Sequence, residues 1–161
     1  MKKFPALLLF ISVWLVFSCR KASTIYLVRH AEKADTSRDP DLSETGQKRA
    51  ERLAGILSTE NIKHIYSTNY KRTMQTVAPL SRLSGAEIFL YAPDTLNAFA
   101  DGLRKLEGNT LVVGHSNSTL SLMDAMGIKY NIIKIEESNY SYLFKIRKKG
   151  KRFTGLEELK F

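Results

Sequence analysis

The feature that most constrains this chain is a repeated alternation, from residue 24 onward, between short β-branched runs and amphipathic helical stretches. Residues 24–28 (TIYLV) are almost continuously apolar, as a strand covered on both faces must be. Residues 29–40 are polar, hold a proline and read as a loop. Ser43 is a good N-cap and Glu44 suits a first turn. Ala50, Leu53, Ala54 and Leu57 then recur at the spacing of one helix face. The pattern repeats with a strand over 62–66 and a helix over 70–83, where Pro79 is an expected kink. A third strand over 86–91 precedes a helix face made by Leu96, Phe99, Ala100, Leu103 and Leu106. A fourth strand over 110–113 ends at Gly114, and a helix over 117–126 is stopped by Gly127. Two more strands are expected over 140–146 and 153–159. Such alternation predicts an α/β fold of three layers, with a mostly parallel central sheet and helices on both faces.

The first 19 residues follow another logic. Lys2 and Lys3 precede an apolar run of 14 residues, 4–17. That run is shorter than the roughly 20 residues a spanning helix needs and has the length of a signal-peptide core. It ends in Ser18-Cys19, and this is the only cysteine in the chain. The arrangement resembles the bacterial lipobox. The resemblance implies an exported bacterial protein lipidated at Cys19 and anchored to a membrane, facing the periplasm or the cell surface. Residues 20–23 are then a tether and 24–161 one domain, since 161 residues suffice for one ordinary domain rather than two. One cysteine also excludes an internal disulfide. Beyond the signal, 23 basic residues stand against 16 acidic, a net +7 that suits an anionic substrate or membrane surface. The basic residues are scattered without a nucleic-acid-binding module, so no nucleic-acid partner is expected. Their densest run, 145–152, reads as a hairpin with a solvated basic tip.

In open α/β sheets, ligands bind where strands end. Polar residues of unusual chemistry sit at just those places. The first strand runs into Arg29-His30-Ala31-Glu32, and the second into Ser67, followed by Arg72, Thr73, Gln75 and Thr76. The fourth runs into Gly114-His115-Ser116-Asn117. Two guanidinium forks match the oxygens of a phosphate, and helix N-termini add to the trap. Their charges also hold a neighbouring imidazole neutral, the form in which it is a nucleophile. Phosphoryl transfer asks mainly for in-line positioning and charge stabilisation, which two histidines and two arginines can supply without a metal or other cofactor. His64 has no such surroundings and reads as an ordinary capping or surface residue.

Three motifs, in order, carry a family resemblance: Arg-His-Ala-Glu at 29–32, Ser67-x4-Arg72-x2-Gln75-Thr76, and Val-Val-Gly-His115-Ser. With Leu42-Ser43-Glu44-Thr45-Gly46 at the first helix start, they resemble the histidine phosphatase superfamily, and its small, phosphohistidine-phosphatase-like members in particular. The resemblance implies a phosphoglycerate mutase-like fold and hydrolysis of phosphate monoesters. His30 would accept the phosphoryl group, and Arg29, Arg72 and His115 would hold its oxygens. Glu32 would orient His30 or the pocket. Asp94 is the candidate proton donor, with Asp101 in reserve and a helix-capping role for Asp94 as the competing reading. The substrate would be a small phosphorylated compound or a phosphoprotein, so a protein phosphohistidine phosphatase is one alternative. A non-catalytic, anion-binding lipoprotein is another. The sequence is silent on oligomeric state.

Overall fold

Strand β1 (Ala22–Arg29) sends its side chains alternately into two separate cores. Tyr26 and Val28 enter one, Ile25 and Leu27 the other, and none is more than 1% exposed. A strand buried on both faces must lie inside a sheet that is covered on both sides. The chain is described here by a computed structural model over residues 22–161. The expected signal segment, Cys19, Arg20 and Lys21 lie outside the described residues.

One core is closed by α1 (Glu44–Leu57) and α2 (Lys71–Ser84), through Leu53, Ala54, Leu57, Val77 and Leu80. The other is closed by α3 (Leu96–Lys105) and α4 (Ser116–Met126), through Ala100, Leu103, Leu122, Met123 and Met126. Each leucine, valine or methionine among them stabilises the fold by about 1.5–3 kcal/mol on burial, before entropy is counted. The sheet between them is completed by β2 (Ile62–Ser67), β3 (Ile88–Leu90), β4 (Asn109–Gly114), β5 (Tyr142–Lys149) and β6 (Arg152–Lys160). The strand order is β3-β2-β4-β1-β5-β6. Strands β1 to β4 are parallel, β5 pairs antiparallel with β1, and β6 pairs antiparallel with β5. Only β5 therefore runs against the rest, and the three-layer α/β architecture expected from the alternation is the one observed.

The departures have local causes. Strand β1 starts two residues early because Ala22 and Ser23, expected in the tether, pair with Lys149 and Lys148 of β5. Strand β3 is shorter than expected. Gly85 ends α2 in the left-handed region at φ 71°, and the Ala86 carbonyl is taken by the Ser81 hydroxyl at 2.7 Å. Pro79 is buried within α2, which continues past it to Ser84. The basic hairpin is present, turning at Gly150 with φ 59°, but its basic residues are not all solvated. Lys148 is 5% exposed, and its ammonium donates to the carbonyls of Arg104 and Leu106 at the end of α3. A lysine there meets the carbonyl-rich pole of the helix. Burial lowers its pKa, opposed by the charge of Glu107.

Candidate active site

Strand pairing brings the two histidines together. The parallel ladder sets Arg29 opposite Gly114, so His30 and His115 leave adjacent strand ends side by side. The His30 amide donates to the Gly114 carbonyl at 2.9 Å, and the imidazole centroids lie 5.5 Å apart in an edge-to-face arrangement. Helix α4 starts at once after His115, whose amide donates to the Ser118 hydroxyl at 2.9 Å. A side chain at Gly114 would crowd that hydroxyl and the Tyr91 hydroxyl, which explains a glycine at this point.

The His30 ring is 3% exposed, and its Nδ1 lies 2.8 Å from the Ala31 carbonyl oxygen. A carbonyl can only accept, so Nδ1 carries the proton and Nε2 keeps its lone pair. Burial pushes the His30 pKa down to about 3; Arg29, His115 and Arg72 push the same way, against the Ala31 hydrogen bond. His115 has Nε2 3.1 Å from the Thr68 hydroxyl, which donates its own proton to Thr73 at 3.1 Å. Nε2 of His115 is therefore a donor, and its Nδ1 faces Arg72 Nη2 at 3.4 Å. Burial lowers the His115 pKa to about 4, helped by Arg72 and Arg29 and opposed by Glu137. Both imidazoles are neutral at ordinary pH.

The two arginines differ. Arg72 lies on the first turn of α2, stacked 4.4 Å above the Tyr70 ring, with Asp39 Oδ1 3.6 Å from its Nη1. Its Nε and Nη1 are buried without a hydrogen-bond partner. Buried guanidinium donors left open call for an anion. Arg29 stacks 4.5 Å from the Tyr140 ring centroid, and its Nη1 donates to the carbonyls of Glu136 at 2.9 Å, Glu137 at 3.0 Å and Asn139 at 3.4 Å. Its Nη2 donates to Glu137 Oε2 at 2.6 Å. Arg29, His30, Arg72, His115, Lys33 and Glu137 all face one open cleft of about 580 Å³.

The remaining motif residues hold the loop after His30. Thr76 accepts from the Ala31 amide at 2.9 Å, and Gln75 accepts from the Leu42 amide at 2.7 Å while donating to Asp41 at 2.7 Å. Ser43 caps α1 by accepting from the Gly46 amide. Gly46 lies so close to the Glu32 backbone that a Cβ would overlap its carbonyl oxygen.

Of the six site residues expected from sequence, Arg29, His30, Arg72 and His115 share the cleft. The Glu32 carboxylate instead grips Arg49 of α1, with its oxygens 2.8 and 2.9 Å from Nε and 2.7 Å from Nη2. Burial would raise its pKa, but the Arg49 hydrogen bonds and charge hold it below the ordinary value. Asp94 lines a neighbouring depression of about 650 Å³ rather than the cleft over His30, although Pro93, Leu96 and Ser121 border both. Asp101 lies on α3, 3.5 Å from Arg104. Sequence reasoning missed Lys33, Tyr70, Thr68, Glu137 and Tyr140. Lys33 and Thr68 each sit within three residues of a motif position; the last two lie in the irregular segment 128–141, which takes in Tyr140 because the strand expected from residue 140 begins only at Tyr142. His64 bonds the Glu107 carbonyl at 2.9 Å and takes no part in the cleft. Among the described residues no three His, Cys, Asp or Glu side chains gather as a metal-ligand set.

The fold is a three-layer α/β protein whose strand ends and first α2 turn bring two imidazoles and two guanidinium groups to one cleft. This chain matches the histidine phosphatase superfamily (branch 1) over residues 25–92. It is 39% identical over 71 residues to phosphoserine phosphatase 1 of Hydrogenobacter thermophilus, a match covering 40% of this chain and 34% of that protein. The chain thus spans about a third of the length of the curated relatives it matches. A mycobacterial glucosyl-3-phosphoglycerate phosphatase superposes with a TM-score of 0.62 at 13% identity, over 86% of this chain and 97% of the other. A structure assigned to an alpha-ribazole-5'-P phosphatase of Escherichia coli K-12 gives a TM-score of 0.69 at 13% identity over the same shares. At these identities the likeness is one of fold.

Proposed function

We propose that this chain is a metal-independent phosphatase that hydrolyses small phosphate monoesters through a phosphohistidine on His30. The observation that carries this reading is the neutral His30 ring, with Nδ1 tied to Ala31 and Nε2 left basic in a cleft that also holds the open donors of Arg72. The Nε2 lone pair attacks phosphorus, the bond to the leaving oxygen breaks, and that oxygen departs with its electron pair and takes up a proton. Water then attacks the phosphoryl group, the P–N bond breaks, and Nε2 regains its lone pair. Arg29 and Arg72 balance charge on the equatorial oxygens, and His115 stands beside them, fixed by Thr68 and Arg72. Asp94, which lines the neighbouring depression, is the candidate donor of that proton.

The purified full chain should hydrolyse p-nitrophenyl phosphate in the presence of EDTA, and His30→Ala should lower the rate by roughly 10⁴-fold or more. An acid-labile, base-stable phosphoprotein trapped by rapid quench identifies the histidine adduct. Tight phosphate binding with no turnover on any phosphorylated substrate would instead mark an anion-binding protein. We also propose that Cys19 carries the lipid anchor of an exported protein. Cys19→Ser should then move the chain from the membrane fraction to the soluble fraction in a bacterial host.

A further inference from the structure

Among the described residues, Glu137 is the one carboxylate that lines the cleft over His30. One oxygen accepts from Arg29 Nη2 at 2.6 Å and the other from the Ser116 hydroxyl at 2.7 Å. Both donors also face the cleft. The Glu137 side chain is 69% exposed, whereas that of Arg29 is 3% exposed. A buried guanidinium with no anion beside it is costly, and Glu137 meets that need in the unliganded protein. Arg29 does not depend on this carboxylate for its place. Its Nη1 is held by three backbone carbonyls of segment 136–139, which Ile135, 1% exposed, fastens into the second core. The carboxylate can therefore leave while the guanidinium stays.

We propose that Glu137 is a displaceable internal anion, which a substrate's phosphate replaces against Arg29 Nη2 and the Ser116 hydroxyl, so that Glu137 sets how tightly this cleft holds phosphate. The proposal rests on the reading of the cleft as a phosphate site and adds a specificity-determining residue to it. A carboxylate competing for the same donors weakens every anion equally in ground-state binding, the product phosphate included. It thereby shortens the stay of the product. It also leaves a free negative charge at the mouth once the phosphoryl group is seated, which disfavours esters of alcohols that themselves carry a negative charge. The Lys33 charge acts on Glu137 in the same cleft and tempers that repulsion.

The experiment is phosphate and vanadate binding to the full chain, by calorimetry and by the shift in melting temperature, for wild type, Glu137→Gln and Glu137→Ala. Glutamine keeps the shape and removes the charge. Both variants should bind phosphate more tightly, by on the order of tenfold, and should gain more melting temperature from phosphate than wild type does. Equal or weaker binding overturns the proposal. So does unchanged phosphate affinity with a kcat that falls for alkyl esters alone, which would make Glu137 a proton donor. If neither variant folds, a phosphate titration of wild type followed at the Glu137 carboxylate carbon by NMR decides. A shifted resonance supports displacement, and an unmoved one overturns it. Wild-type turnover of p-nitrophenyl phosphate with no tightening in the variants removes this inference and leaves the phosphatase reading standing. Failure of all forms to bind phosphate removes both.

Discussion

Arg29 and Arg72 are the same side chain, in the same cleft, each stacked on a tyrosine, and they are prepared in opposite ways. Arg29 leaves a strand end, and both its Nη atoms are taken by carbonyls and Glu137, with Nε alone left open. Arg72 sits on a helix turn with two buried donor nitrogens left open. The first ties segment 128–141 to the sheet as well as facing the ligand. The second is held by stacking and by its helix, and its hydrogen-bonding capacity is kept in reserve. The difference teaches that one residue type can serve as a structural clasp and as an unmet demand within a single site.

Turnover separates the two arginines most strongly. Arg72→Ala should lower kcat/KM by roughly 10²–10³-fold, the cost of losing one preorganised donor group, with little change in unfolding free energy. Arg72→Lys should recover only part of that, since an ammonium lacks the planar fork. Arg29→Ala should also impair turnover, but it should in addition cost about 2–3 kcal/mol of stability in urea unfolding, because three carbonyls lose their donor. Equal stability losses in the two alanine variants would erase the distinction drawn here.

Backbone support offers the next test. Gly46→Ala drives a methyl into the Glu32 carbonyl and should cost about 1–3 kcal/mol. Turnover should fall with it, because the loop that moves follows His30. A stable, fully active Gly46→Ala would show that this loop can shift without disturbing the site.

Acid sharpens the comparison from the side of the histidines. Their folded pKa values, about 3 for His30 and about 4 for His115, lie below the ordinary 6.5. Unfolded imidazoles bind protons as the pH falls through 6.5, whereas the folded ones do not until about 4 and then 3. Stability is therefore unaffected by these groups above about pH 6.5 and declines as the pH falls from there towards 3. Urea unfolding at pH 7, 5.5 and 4.5 should show a shallower decline for His30→Gln than for wild type. The smallest effect is expected at Asp94→Asn. Its side chain lines the adjoining depression, so kcat on p-nitrophenyl phosphate should change by less than about threefold, a leaving group this acidic needing little protonation. A larger loss on alkyl esters would identify Asp94 as their proton donor.

Much of this was legible beforehand, for definite reasons. Buried strands and helix faces carry periodic patterns, so Ile25 to Val28 and Leu53, Ala54 and Leu57 announce their places. Strand-end residues of unusual chemistry follow from topology, so His30 and His115 could be paired before their separation was seen. Glu137 and Tyr140 could not, because their segment has no regular structure and Arg29 is held there mostly through backbone carbonyls, which every residue possesses. The resemblance implies that Glu32 orients His30 or the pocket, while its carboxylate is paired with Arg49, brought in by the packing of α1. Lys148 looked like one more surface cation in a basic run, and only its place under the end of α3 shows otherwise.

The pairing of β1 with β4 has a consequence for how such a molecule can change over time. A slip of one residue between those strands would turn Ile25, Leu27 and Val112 towards the wrong helices as well as parting the two imidazoles. Selection for folding alone therefore preserves the reacting geometry. The turn between β3 and α3 is under no such restraint, and it can be lengthened or exchanged without disturbing the pairing that holds the two histidines together.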